Sequence, residues 1–280
     1  MSVAQVGVIV GTGFSSLLAH SETLPDVDTP YGPASSAPTA GLLADTPVIV
    51  LARHGQPHRL APHAVNYRAN IWLLHALGVR HVLATNTVGG ISREAAPGVI
   101  VIPDQLIDYT WGREHSFMDA NRLEHVDFSQ PYTQAARSAL LTAARSHFAS
   151  VLDGGVYGCT QGPRLESAAE IERMARDGCS VVGMTGDAGG RARAGTRHDV
   201  WRRLPGGESS RCRTVGAPID GSDGGCRGAL RGADGCSSGA GCCAGRAIAR
   251  LTQPAAAAAI STKAWGGATG SIRINTPKAG

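Results

Sequence analysis

Apolar positions along this chain fall into short runs and helical stripes as far as residue 186, and then the patterning stops. Residues 3–10 form a run rich in Val and Ile that leads into Gly11-Thr12-Gly13, the pattern of a buried strand and a tight turn. A second run, residues 47–52, ends at Arg53-His54-Gly55. Residues 66–77 place Ile71, Leu73, Leu74 and Leu77 on a helical stripe, with Gly78 as its C-cap. Residues 81–84 predict a strand that ends at Asn86-Thr87-Val88-Gly89-Gly90, and residues 99–102 and Leu106-Ile107 predict further strands. Residues 131–148 read as a helix with Ala135, Ala139, Leu140, Ala143 and Phe148 inward. Residues 156–159 are a strand, and residues 167–177 a helix opened by a Ser167–Glu170 capping box. Val181-Val182 returns to strand and delivers Gly183-Met184-Thr185-Gly186. Strands alternating with helices, with glycines and polar residues at the strand ends, predict an α/β sheet whose site lies at the carboxyl edge.

Composition changes this picture mainly at its far end. A chain of 280 residues has ample length for a buried core, and a net charge of +4 is too small to argue for nucleic acid. No basic segment precedes the first apolar run, and no stretch approaches the ~20 apolar residues of a membrane span, so a soluble cytoplasmic protein is expected. Residues 189–245 show neither helical nor alternating periodicity and are dominated by Gly, Arg, Ser and Cys. Five of the seven cysteines (Cys212, Cys226, Cys236, Cys242, Cys243) lie beyond Gly186, and their spacing fits no zinc pattern, so no metal is expected.

The candidate chemistry is anion binding. A Gly-Thr-Gly turn after a strand presents backbone N–H groups and the Thr12 hydroxyl. Arg53 can fork two donors onto a phosphate, and His54 can add a third. Asn86, Thr87 and Thr185 supply amide and hydroxyl groups at other strand ends. Each element alone is commonplace; their joint position at strand ends is what points to a site.

The strings RHGQPHRLAPHAVNYRANIW, NTVGGISREAAPG, VIPDQLIDYTWGREHSF and QGPRLESAAEI, closed by GMTG, run in order through residues 8–186. They resemble the trimeric purine nucleoside and methylthioadenosine phosphorylase family, on the side of the bacterial S-methyl-5'-thioinosine phosphorylases. The resemblance implies a three-layer α/β fold with a central mixed sheet, and a homotrimer. It implies purine salvage by phosphorolysis of S-methyl-5'-thioinosine to hypoxanthine and 5-methylthioribose 1-phosphate. Inorganic phosphate is then the co-substrate, and no cofactor is needed. Thr12, Arg53, His54, Asn86, Thr87 and Thr185 fall where the family binds phosphate. Thr87 stands where Ala is common, which a backbone N–H donor would tolerate. Met184 falls under the ribose, His125 where a neighbouring subunit is reached at the 5' end, and Ser167 where the family varies with substrate preference.

After GMTG the family continues Met-Pro-Glu-Ala-Ala-Leu-Ala-Arg-Glu, whereas this chain reads DAGGRARAG. Codons for residues 187–195, read one base later, are compatible with the family string at every position. The same shift over residues 204–213 permits Cys-Arg-Val-Val-Asn-Arg-Ala-Ala-Ala-Gly. That second string is of the kind that brings the purine-facing Asn, a residue associated with 6-oxopurines. Residues 1–186 are therefore expected to be an incomplete phosphorylase domain, and residues 187–280 a frameshifted, low-complexity tail. A natural disordered tail is the alternative. The competing activities are a methylthioadenosine or inosine/guanosine phosphorylase, a hydrolytic nucleosidase on the same fold, and a Gly/Arg-tailed nucleic-acid binder.

Overall fold

The structure, a computed structural model, describes residues 4, 6–11, 18–25, 27–43, 46–114, 116–117 and 127–186, together with the backbone of 212–218. Its centre is β1 (Val6–Val10), a VGVIV strand buried at every position. Parallel neighbours β4 (Thr46–Ala52) and β5 (His81–Gly90) flank it, in register Val8↔Val50 and Val8↔Leu83. A strand paired on both sides and covered on both faces has no polar positions to spare, hence its continuous apolar run.

Beyond β4 the sheet continues antiparallel through β3 (Thr39–Leu43) to β2 (Ala19–Thr23). Neither strand is expected from the sequence, because AHSET and TAGLL carry no alternating pattern; β3 relies on β4 for pairing and β2 on β3. On the other side β5 has several partners. Its Gly89 and Gly90 pair antiparallel with β10 (Cys179–Gly183), which continues in parallel to β9 (Val156–Cys159) and then β7 (Gln105–Asp108). Its residues 82–88 pair in parallel with β11 (Cys212–Pro218), which also meets β6 (Ile100–Ile102), itself next to β8 (Val151–Asp153). The result is the expected mixed central sheet. The sequence shows no periodicity after Gly186 from which β11 could be read: parallel pairing is made by the backbone, so it needs no apolar pattern.

Helices cover both faces. On one, α1 (Tyr67–Ala76) sets Ile71, Leu73 and Leu74 against Ile9, Ile49 and Leu51. Its ends are as the sequence predicts: the Asn66 side chain accepts from the Ala69 N–H at 3.0 Å, a cap contributing about 1 kcal/mol. After Leu77, Gly78 takes φ +87 and donates to His75, while Val79 donates to Leu74, which closes a Schellman turn. On the opposite face, α2 (Gln134–His147) packs Leu140, Leu141, Ala143 and Ala144 on Ile100 and Ile102, with Leu83 against the cluster.

The inward face of α2 differs from expectation at Ala135, which is exposed, while Ala136 and Arg137 are buried. The cause is Arg137: it pairs with Asp153 at 2.6 Å and donates to the Pro103 carbonyl at 3.0 Å, which rotates the buried stripe by one position. Finally α3 (Ala168–Arg176) buries Met174 against Cys179 and Val182 of β10. Its capping box forms as read, with Ser167 and Glu170 bonding each other's backbone N–H groups. Among the described residues no helix is long and apolar enough to cross a membrane.

Candidate functional site

The carboxyl ends of β1, β4, β5 and β10 converge, and three of the expected residues meet there. Arg53 follows β4 and is buried, only 3% exposed. Its Nη2 donates to the Thr85 carbonyl at 2.9 Å, and Nη1 lies against Gly11 at the end of β1. Next along β5, Asn86 is also buried, and its Oδ1 accepts from the Thr185 hydroxyl at 2.9 Å. That bond orients the amide so that Nδ2 is left over as a donor.

Asn86 Nδ2 has no hydrogen-bond partner among the described residues, and neither has the buried Thr85 hydroxyl. A buried amide without a partner costs about 1–3 kcal/mol, so a fold does not leave one by default. The donor lies one residue along β5 from the carbonyl that holds the Arg53 guanidinium, in a region of low dielectric. A donor so placed beside a guanidinium can bind an anion. Arg53 and Thr185 also border a cavity of about 20 Å³ with Tyr67 and Ile71, room for a water but not for a nucleoside.

The remaining expected residues are placed less uniformly. Thr87 has an exposed side chain. The His54 Nδ1 donates to the Leu60 carbonyl at 2.8 Å, and the ring stacks on His58 at 4.5 Å. Burial pulls its pKa down to about 4, with Arg53 and His58 adding repulsion of the charged form. The imidazole is therefore neutral near pH 7, and Nε2 presents a lone pair rather than the extra donor expected from the sequence. Met184, half-buried, precedes Thr185, and its carbonyl accepts from Arg113 at 2.9 Å. The Ser167 hydroxyl is engaged in the α3 cap, accepting from Glu170 N at 3.3 Å. Thr12 and His125 lie outside the described residues.

Two residues that the sequence reading passed over shape this end of the sheet. Tyr157 of β9 is fully buried, with its hydroxyl close beneath the Gly183 backbone. Burial pushes its phenol well above the ordinary tyrosine value. The ring fills the space under Gly183 and Gly186: a Cβ on Gly183 would overlap the hydroxyl, and one on Gly186 would come within 2.5 Å of the ring. The segment carrying Met184 and Thr185 thus rests on Tyr157 because both flanking positions are glycine. The second residue is Arg113, whose guanidinium donates to carbonyls of β9 and β10 ends.

A larger cleft of about 500 Å³ opens beside this centre, between the ends of β7 and β9 and the start of α3. It is lined by Tyr109, Trp111, Gln161, Glu166 and Arg173, among others, and by none of the expected phosphate or ribose residues. No group of three metal-ligating side chains occurs among the described residues.

Comparison with known proteins places this geometry. The model of the phosphorylase superfamily matches residues 5–188. A probable S-methyl-5'-thioinosine phosphorylase of Xanthomonas campestris is 50% identical over 184 residues, 65% of this chain and 74% of the relative. A 6-oxopurine nucleoside phosphorylase of Pyrococcus furiosus is 42% identical over 188 residues, covering 65% and 70% of the two chains. Among solved structures, the methylthioadenosine phosphorylase of Schistosoma mansoni superimposes with a TM-score of 0.67 at 29% identity. That match covers 77% of this chain and 80% of the other. The family match stops within two residues of Gly186, where the apolar patterning also stops.

Proposed function

We propose a reaction for a chain that belongs to the phosphorylase superfamily and is similar to nucleoside phosphorylases: reversible phosphorolysis of a purine nucleoside, with S-methyl-5'-thioinosine as the preferred substrate. The products are hypoxanthine and 5-methylthioribose 1-phosphate, and inorganic phosphate is the co-substrate. The observation that carries this reading is the buried, unpartnered Asn86 Nδ2 beside Thr185 and near the Arg53 guanidinium. A phosphate oxyanion can accept from the free amide N–H of Asn86 and is drawn by the nearby guanidinium charge.

In the reaction a phosphate oxygen attacks C1' while the bond from C1' to the purine nitrogen breaks, and the bonding pair leaves with the base. The sugar becomes cationic in the transition state, so a phosphate held rigidly against it lowers the barrier through position and charge. Arg53 holds the anion, and Asn86 and Thr185 orient it. His54, neutral and with its Nδ1 proton given to Leu60, accepts from the P–OH of a hydrogenphosphate through Nε2. Thr12 and the Thr87 backbone N–H complete the donor set, Met184 packs under the ribose, and Ser167 borders the base. His125 reaches a neighbour's 5' substituent in a homotrimer in the cytoplasm.

The purine needs its own contact, and this chain as written does not supply it on β11. That strand reads CRTVGAP, with neither Asn nor Asp. We therefore take residues 1–186 as the phosphorylase domain and residues 187–280 as the same gene read one base out of phase. The test is phosphate-dependent release of hypoxanthine by two purified proteins: the 280-residue chain, and the product of a gene lacking one base at the Gly186 codon. Turnover only in the second is expected. Turnover by the 280-residue chain would overturn the frameshift reading, and release without phosphate would overturn phosphorolysis in favour of hydrolysis.

A further inference from the structure

We propose that Arg113 is a positioning residue for the anion site: it clamps the ends of β9 and β10 together and so holds Thr185 against Asn86. The inference rests on the phosphate reading above and adds to it a residue that touches neither substrate. Arg113 is buried, 8% exposed, although it sits in the polar string WGRE. Its Nη2 donates to the carbonyls of Thr160 at 3.0 Å and Gln161 at 2.8 Å. Its Nη1 donates to the Met184 carbonyl at 2.9 Å, and its Nε to the Gln161 side chain at 3.0 Å. The guanidinium also lies 5.5 Å from the ring of Tyr67, which borders the small cavity with Arg53 and Thr185.

The position of these carbonyls explains why an arginine is needed. The parallel ladder of β9 and β10 ends with Gly183↔Cys159, after which Thr160 still bonds across to the Gly183 carbonyl, through its N–H at 2.8 Å and its hydroxyl at 3.4 Å. Thr160, Gln161 and Met184 therefore present carbonyls beyond the last paired residues, partly withdrawn from water, where a protein donor takes the place of the lost ladder. A planar fork serves all three at once and spans both strand ends; the compact ammonium of a lysine cannot. With Met184 held through its carbonyl and Tyr157 packed beneath Gly183 and Gly186, the Thr185 hydroxyl has one place to go, the Asn86 side chain.

The test compares Arg113→Lys with Arg137→Lys in the 280-residue chain. Arg137 is equally buried and also bonds carbonyls, but in the first turn of α2, at the end of β6. Two quantities are read: amide hydrogen exchange of residues 183–186 without ligand, and inorganic phosphate affinity by ³¹P NMR titration. Arg113→Lys should speed exchange at 183–186 and weaken phosphate by at least about tenfold, roughly one hydrogen bond to a charged group. Arg137→Lys should do neither, even when it lowers the unfolding temperature as much. Equal effects from both variants, or unchanged exchange in Arg113→Lys, would overturn the clamp. Absence of phosphate binding in the parent chain would overturn the phosphate reading instead, and the exchange comparison would still decide the clamp.

Discussion

Strands β10 and β11 both pair with β5, but in opposite senses and with sequences of different origin. The first, antiparallel at Gly89 and Gly90, lies inside the family match and packs Val181 against Tyr157, and Val182 and Cys179 against Met174 of α3. The second lies outside that match and follows β5 in parallel over seven positions, from Cys212↔Val82 to Pro218↔Val88. The contrast separates two requirements of one sheet. A gap between strands can be filled by almost any segment able to extend, because every residue but proline offers the same donor and acceptor. A site needs particular side chains at particular positions. Thus a segment outside the family match can occupy a central place in the sheet without bringing the base contact that phosphorolysis requires.

The contrast can be broken from either side. The largest expected effect is that of Thr214→Pro, which removes a ladder donor from the middle of β11. It should cost roughly 3 kcal/mol and speed amide exchange along residues 82–88 of β5. Unchanged exchange there would mean that β11 does not hold the gap. Gly183→Ala should lower stability by about 1–3 kcal/mol in urea unfolding, because the new Cβ meets the Tyr157 hydroxyl. Adding Tyr157→Phe should return part of that loss, and strictly additive effects in the double-mutant cycle would argue against the contact.

Two smaller effects sharpen the same comparison. Ser167→Ala removes the cap of the helix that covers β10 and should cost about 1 kcal/mol, read as a lower thermal midpoint. The His54 effect is the slightest and depends on pH. Its folded pKa of about 4 lies below the ordinary histidine value of 6.5, so the unfolded chain binds the extra proton between these values. Stability from this group is complete above about pH 6.5 and is lost as pH falls toward 4. His54→Asn should flatten the stability profile over that interval, and an unaltered slope would assign it to other groups.

Much of the architecture was readable in advance because its signals are local. Asn66 and Gly78 mark the ends of α1, Ser167 and Glu170 open α3, and the Val- and Ile-rich runs locate β1, β4 and β6. Strands without such signals were not readable. β2 depends on pairing with β3, β3 on pairing with β4, and β11 on pairing with β5 and β6. At the site, the motif strings pointed to Arg53, Asn86 and Thr185, and the structure brings these together. The motifs could not reveal that His54 presents an acceptor, since that follows from the nearness of Leu60 and from burial. Arg113 was hidden for a similar reason: in WGRE it resembles any surface arginine, and only the strand ends around it make it interior.

By itself, then, the sequence determined the alternation of strands and helices, the caps, the set of anion-binding residue types and the break after Gly186. All of these are written in neighbouring residues or in the chemistry of single side chains. The tertiary structure decided which donors are left without partners, which histidine nitrogen carries the proton, which arginines are interior, and that a strand of unrelated composition lies against β5. Each of these depends on groups far apart in the chain meeting in a place without water, where a hydrogen bond made or missed is worth enough to settle the arrangement.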